Sequence, residues 1–194
     1  LGEAWVKAQR PFYEHDPKFW VVWHEEYGLP ALKSLSETYK NVVIPNAEIE
    51  SVTSLAALTR GYQRQYGTQY HALACAKPDN LRQVPFATAS TLSWLSPMRR
   101  GETIVWDGQR IVRYPKRMKD QARPRYKTVI EKAGLDYSLI IADDPNEVTK
   151  LAIWSYLQLE TALNNGYTPL LSDNSQFKDD PGDAETGGLE PDNS

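Results

Sequence analysis

Arg99, Arg100, Arg110, Arg113, Lys116, Arg117, Lys119, Arg123, Arg125 and Lys127 place ten of the 22 Lys+Arg of a 194-residue chain between residues 99 and 127. Only Glu102, Asp107 and Asp120 oppose them, so that window stands at +7. The other 12 cations face 22 carboxylates, and the rest of the chain stands at −10. A net charge of −3 therefore conceals a polarised molecule. Clustered guanidinium and ammonium groups recognise phosphate, because neutralising a polyanion releases its condensed counterions. Nucleic acid is the first candidate, and Trp94, Trp106, Tyr114 and Tyr126 lie beside or among the cations. Trp106, next to an expected turn, is placed to stack on a base, a contact worth ~1–3 kcal/mol. The expected contact set is Arg99, Arg100, Trp106, Arg110, Arg113, Lys116, Arg117, Lys119 and Arg123. It describes a non-enzymatic nucleic-acid-binding protein, with DNA and RNA, and single and double strands, not distinguished. A solvated basic surface that answers the acidic remainder of the chain is the plainer reading of the same residues.

A second chemistry is conceivable at Asp143-Asp144, where a strand-to-helix junction could hold catalytic or metal-binding carboxylates. On that alternative the chain is a metal-dependent enzyme acting on nucleic acid or phosphate esters. The simpler expectation is structural: one Asp caps the helix that Pro145 begins, with Asp144 and Glu147 at capping-box spacing. His15, His24 and His71 lack zinc-site spacing, and His24-Glu25-Glu26 has no second His of a zincin. Cys75 lies four residues after His71, on the same side of a strand, and reads as a small buried side chain rather than a nucleophile. Gly61 and Gly67 match neither a phosphate loop nor a dinucleotide fingerprint, and no cofactor is implied.

These residues sit in a chain of ordinary globular composition, 41% hydrophobic and 24% charged, long enough to bury a core. Eleven Tyr and six Trp exceed the ordinary share. Such a surplus fills a core or serves at a binding surface. The aromatics of residues 12–27 read first as core and second as a protein-partner groove. One cysteine excludes an internal disulfide framework and suits the cytoplasm. No apolar run reaches the ~18 residues of a membrane span. Leu1-Gly2-Glu3 shows neither an initiator Met nor a signal-peptide pattern, as expected of a fragment or a processed chain.

The fold expected to position the basic window is α+β, with a helical N-terminal half over one domain of residues 1–171 and an acidic disordered tail over 172–194. Asp16-Pro17 opens a helix closed by Gly28, whose Trp20, Trp23, His24 and Tyr27 form an aromatic stripe. That helix could pack on a protein partner or drive self-association, which makes a structural or assembly subunit a third reading. A second helix runs to about Lys40 with Leu32, Leu35 and Tyr39 inward, and Val42–Ile44 is a short strand. Asn46 caps a longer helix toward Gly67, residues 70–76 form a strand, and Lys77–Asn80 is a turn. A short helix passes through Leu92 and Leu95.

Asp107-Gly108 between β-prone runs predicts a two-residue hairpin turn pairing Trp106 with Gln109, Ile104 with Ile111 and Glu102 with Arg113. Lys116–Arg123 reads as a basic loop. Pro124 opens and Gly134 closes a helix with Tyr126, Val129, Ile130 and Ala133 on one face, Ser138–Ala142 is a buried strand, and a final helix ends at Asn165-Gly166.

Overall fold

The computed structural model describes Ala8, residues 16–49 and residues 51–166. The domain boundary at residue 171, the acidic segment and His15 therefore lie outside the described residues. The architecture is mixed α and β, with a parallel sheet and a separate antiparallel hairpin.

The parallel sheet is built by alternation of strand and helix. Strand β1 (Val21–Val22) leads through a single 3-10 turn into helix α1 (Gly28–Thr38). Strand β2 (Asn41–Pro45) is followed by helix α2 (Val52–Tyr66), strand β3 (Gln69–Leu73), helix α3 (Pro78–Gln83) and strand β4 (Phe86–Ala89). The strands lie in the order β1-β2-β3-β4, every neighbouring pair parallel. Residues Asn41–Ile44 of the central strand are all buried. One face of the sheet supplies Val42, Ile44 and Tyr70, which pack with Leu32 of α1 and Leu55 and Ala56 of α2. A register row on the other face runs Val22, Val43, His71, Thr88, and among these only Val43 is buried.

The helix expected from Asp16 to Gly28 is not formed. Asp16 does organise a turn, accepting a bond from the Lys18 amide at 2.8 Å, but the chain then runs extended. Val21 and Val22 are β-branched and find Val42 and Val43 as partners, which outweighs the capping signal. Of the aromatic stripe only Trp23 is buried, its indole N–H donating to the Gly28 carbonyl at 3.1 Å. His24 and Tyr27 are exposed at and within a 3-10 turn, so no helix presents the aromatic stripe.

Helix α1 begins and ends where its spacing predicts, with Leu32 and Tyr39 buried. Ser51, not Asn46, caps α2 by accepting from the Ser54 amide, and residues 46–48 make one 3-10 turn. Gly67 closes α2 with φ +74°, a left-handed conformation that favours glycine.

The basic window belongs to the second half. Helix α4 (Ser96–Arg100) precedes the hairpin of β5 (Thr103–Trp106) and β6 (Ile111–Tyr114). The pairing is Trp106 with Ile111, Val105 with Val112, Ile104 with Arg113 and Thr103 with Tyr114, so the loop holds four residues, not two. The Asp107 carboxylate causes this by accepting from the amides of Gln109 and Arg110 at 2.9 and 2.8 Å. Because the register differs from expectation by two residues, every side chain keeps its face.

Residues 116–118 form a 3-10 turn, followed by α5 (Lys119–Arg125), α6 (Lys127–Lys132), α7 (Tyr137–Ile141) and α8 (Pro145–Asn164). The expected basic loop is thus largely helical, and Pro124 sits in the last turn of α5 instead of opening a helix. The expected strand at Ser138–Ala142 is helical because the Asp136 side chain accepts from the amides of Ser138 and Leu139, capping α7. A five-residue apolar run alone does not tell strand from helix. A second core joins Val105 and Tyr114 of the hairpin to Ala122, Ile130, Ile140, Val148 and Leu151.

Candidate nucleic-acid interface

The structure sorts the nine expected contact residues into three groups. Trp106 and Arg123 are removed from solvent. Trp106 is 8% exposed, and its backbone amide donates to Ser155 Oγ at 2.9 Å, so its ring is core and not a platform for a base. Arg123 is 1% exposed and donates to Thr103 Oγ1 at 3.1 Å, to the Ile140 carbonyl at 2.7 Å and to Asp143 Oδ1 at 2.7 Å. A guanidinium engaged by three acceptors inside the fold does not reach a phosphate.

The second group is bound to carboxylates at the surface. Lys119 pairs with Asp143. Arg113 donates to Glu102 Oε2 at 2.9 Å, the ion pair expected across the hairpin, and Ser96 Oγ joins it. Arg110 lies 3.6 Å from Asp107 in the hairpin loop, where both are exposed.

Arg99, Arg100, Lys116 and Arg117 form the third group and are exposed. Arg99 and Arg100 occupy the last turn of α4, and Gly101 ends it at φ +70°. The Lys116 stem crosses this glycine: a Cβ added there would stand 2.9 Å from Lys116 Cδ. The 3-10 turn carrying Lys116 and Arg117 is thereby set against the end of α4. Among the described residues, Arg99, Lys116 and Arg117 form no ion pair. Two short elements, separated by a hairpin in sequence, thus adjoin at Gly101, and both carry exposed cations.

Asp143 and Asp144 have separate structural tasks. Asp143 adopts φ +68° and receives Lys119 and Arg123, which hold its carboxyl below the usual carboxylate range, with the Lys119 hydrogen bond the larger cause. Asp144 caps α8, accepting from the amides of Asn146 and Glu147 at 3.0 and 2.9 Å. The reciprocal half of a capping box is absent, because Glu147 turns to the Asp136 amide and Lys150 while the Asp144 amide bonds the Leu139 carbonyl. Among the described residues no three His, Cys, Asp or Glu side chains converge as a metal-binding group. Asp144→Ala is expected to lower stability by about 0.5–2 kcal/mol, the ordinary cost of a lost N-cap. Thermal melts test this; an unchanged melting temperature would remove the capping role.

One cluster escaped the sequence reading. His71 Nδ1 lies 2.8 Å from Thr88 Oγ1 and Nε2 lies 3.0 Å from Ser90 Oγ. The Trp20 ring stands edge-on to the imidazole at 5.9 Å. Burial lowers the imidazole pKa from its ordinary value, which favours the neutral ring. Cys75 is 2% exposed and sits beyond Ala74, whose φ is +55°, and burial of the thiol pushes its pKa up. His71 and Cys75 are therefore not a nucleophile–base pair. The parallel pairing of β3 with β4 unites His71, Thr88 and Ser90, and no local spacing announces that pairing.

Comparison with protein-family models, with curated proteins and with solved structures gives no match. Among the described residues no helix is long and apolar enough to cross a membrane.

Proposed function

We propose that the chain binds nucleic acid through phosphate contacts from Arg99, Lys116 and Arg117, with Arg100 alongside, and performs no chemistry there. The observation that carries this reading is the unpaired state of Arg99, Lys116 and Arg117 on two elements held together at Gly101. Exposed cations on adjoining elements, without carboxylate partners, leave a positive potential that a polyanion neutralises. The contact surface is smaller than the full basic window, since Arg110, Arg113, Lys119 and Arg123 are already engaged by Asp107, Glu102 and Asp143. With Trp106 in the core, contacts are to backbone phosphates, and such contacts do not read sequence. A single cysteine, itself buried, accords with a cytoplasmic protein.

Fluorescence anisotropy with a labelled oligonucleotide duplex tests the assignment. The triple variant Arg99→Ala, Lys116→Ala, Arg117→Ala is expected to bind at least tenfold more weakly at low salt, whereas Arg110→Ala changes affinity less than twofold. Equal affinity in wild type and triple variant would remove the patch as the interface.

A further inference from the structure

We propose that the exposed face of the parallel sheet carries a second site, in which Ser90 is a nucleophile activated by His71 and the substrate is a small, activated carboxylic ester. The geometry has the three parts such chemistry requires: a hydroxyl, a base within hydrogen-bond reach, and a group that orients the base. With Nδ1–H donating to Thr88 Oγ1, Nε2 is the acceptor for the Ser90 hydroxyl proton at 3.0 Å. Trp20 fixes the ring from its edge.

The backbone around the nucleophile is held on both sides, because the Ser90 amide donates to the Ala72 carbonyl and the Cys75 amide to the Ser90 carbonyl, each at 2.9 Å. Ser90 is exposed, and it follows β4 directly, at the carboxyl end of a parallel sheet, where open α/β sheets place their ligands. Ala74, at the corresponding end of β3, keeps φ +55° without being glycine, a conformation that costs energy and clusters at functional sites. Val22 and Leu73, 38% and 41% exposed, offer apolar contact for an acyl or alkyl group on the same face as His71.

In the first step Ser90 Oγ bonds to the ester carbonyl carbon as its proton passes to His71 Nε2. The carbon–oxygen bond to the alcohol then breaks, and the alcohol leaves with that proton. Water next gives a proton to Nε2 and attacks the acyl carbon. The carboxylic acid departs, and Ser90 recovers its proton from His71. Thr88 is a hydroxyl and not a carboxylate, so it orients the ring without stabilising the imidazolium by charge. Esters with good leaving groups are accordingly the substrates expected to react.

The full chain should take up a fluorophosphonate probe and release nitrophenol from p-nitrophenyl acetate. Peptide mass spectrometry should place the probe on Ser90. Ser90→Ala abolishes both signals, and His71→Gln, which retains hydrogen-bonding groups but no base, lowers both at least tenfold. Circular dichroism melts are expected to show that His71→Gln is folded, and Thr88→Val, expected to lower the rate severalfold, provides a second variant. No probe on wild-type Ser90, or equal labelling of wild type and His71→Gln, overturns the proposal.

Discussion

Arg123→Ala is expected to destabilise the protein by about 3–5 kcal/mol, the range seen when one member of a buried, hydrogen-bonded ion pair is removed. Arg123 is 1% exposed and joins three elements: Thr103 on β5, the Ile140 carbonyl on α7, and Asp143 between α7 and α8. Truncation leaves the space of a large side chain and strands a buried carbonyl. Asp143→Asn has a smaller effect, about half as large, because the Asp143 side chain is 35% exposed and water screens its charge. The pH dependence has a defined sign. Asp143 has a folded pKa below its unfolded one, so its stabilisation is complete above the ordinary carboxylate value near pH 4 and is lost as pH falls through the depressed folded value. Asp143→Asn should therefore lose more stability at pH 7 than in acid. Denaturant melts of both variants at pH 7 and of the Asp143 variant across the acid range measure these effects. A loss under 1 kcal/mol for Arg123→Ala would show that the buried guanidinium is not a fastener.

The same residue shows where sequence reading reaches its limit. Arg123 belongs to a run of cations whose charge is visible in the chain, yet its partner Asp143 lies 20 residues away and Lys119 is 24 from that carboxylate. Charge density is a local property, whereas pairing is a tertiary one. Glu102 and Arg113 were legible as a pair because a hairpin turn links them, and the longer Asp107 loop left their faces unchanged. Helices α1, α2 and α8 were legible because apolar spacing and terminal residues agree: Asp144 and Pro145 start α8, and Gly67 ends α2.

The parallel sheet was mostly hidden. Its edge strands are Val21–Val22, too short to show a period, and Phe86–Ala89, largely exposed. Capping chemistry at Asp16 pointed the wrong way because the partners Val42 and Val43 lie outside any local window. The sheet face carrying His71, Thr88 and Ser90 was hidden for the same reason.

Salt dependence of binding is the second large effect and bears most directly on the basic patch. If three phosphates are neutralised by Arg99, Lys116 and Arg117, the logarithm of affinity for a duplex falls with the logarithm of salt with a contribution of about −2.7 from these residues. Raising salt fourfold then costs wild type about 40-fold in affinity through them alone, by the same relation. Pairing already present in Lys119 and Arg123 means that they add nothing to this slope. The decisive measurement is the oligonucleotide dissociation constant of wild type and of the Arg99, Lys116, Arg117 triple alanine variant, each titrated from about 50 to 200 mM salt. The wild-type slope should be steep and become shallower by about 2 to 3 in the variant; parallel slopes for the two proteins would rule out phosphate contacts from these three residues.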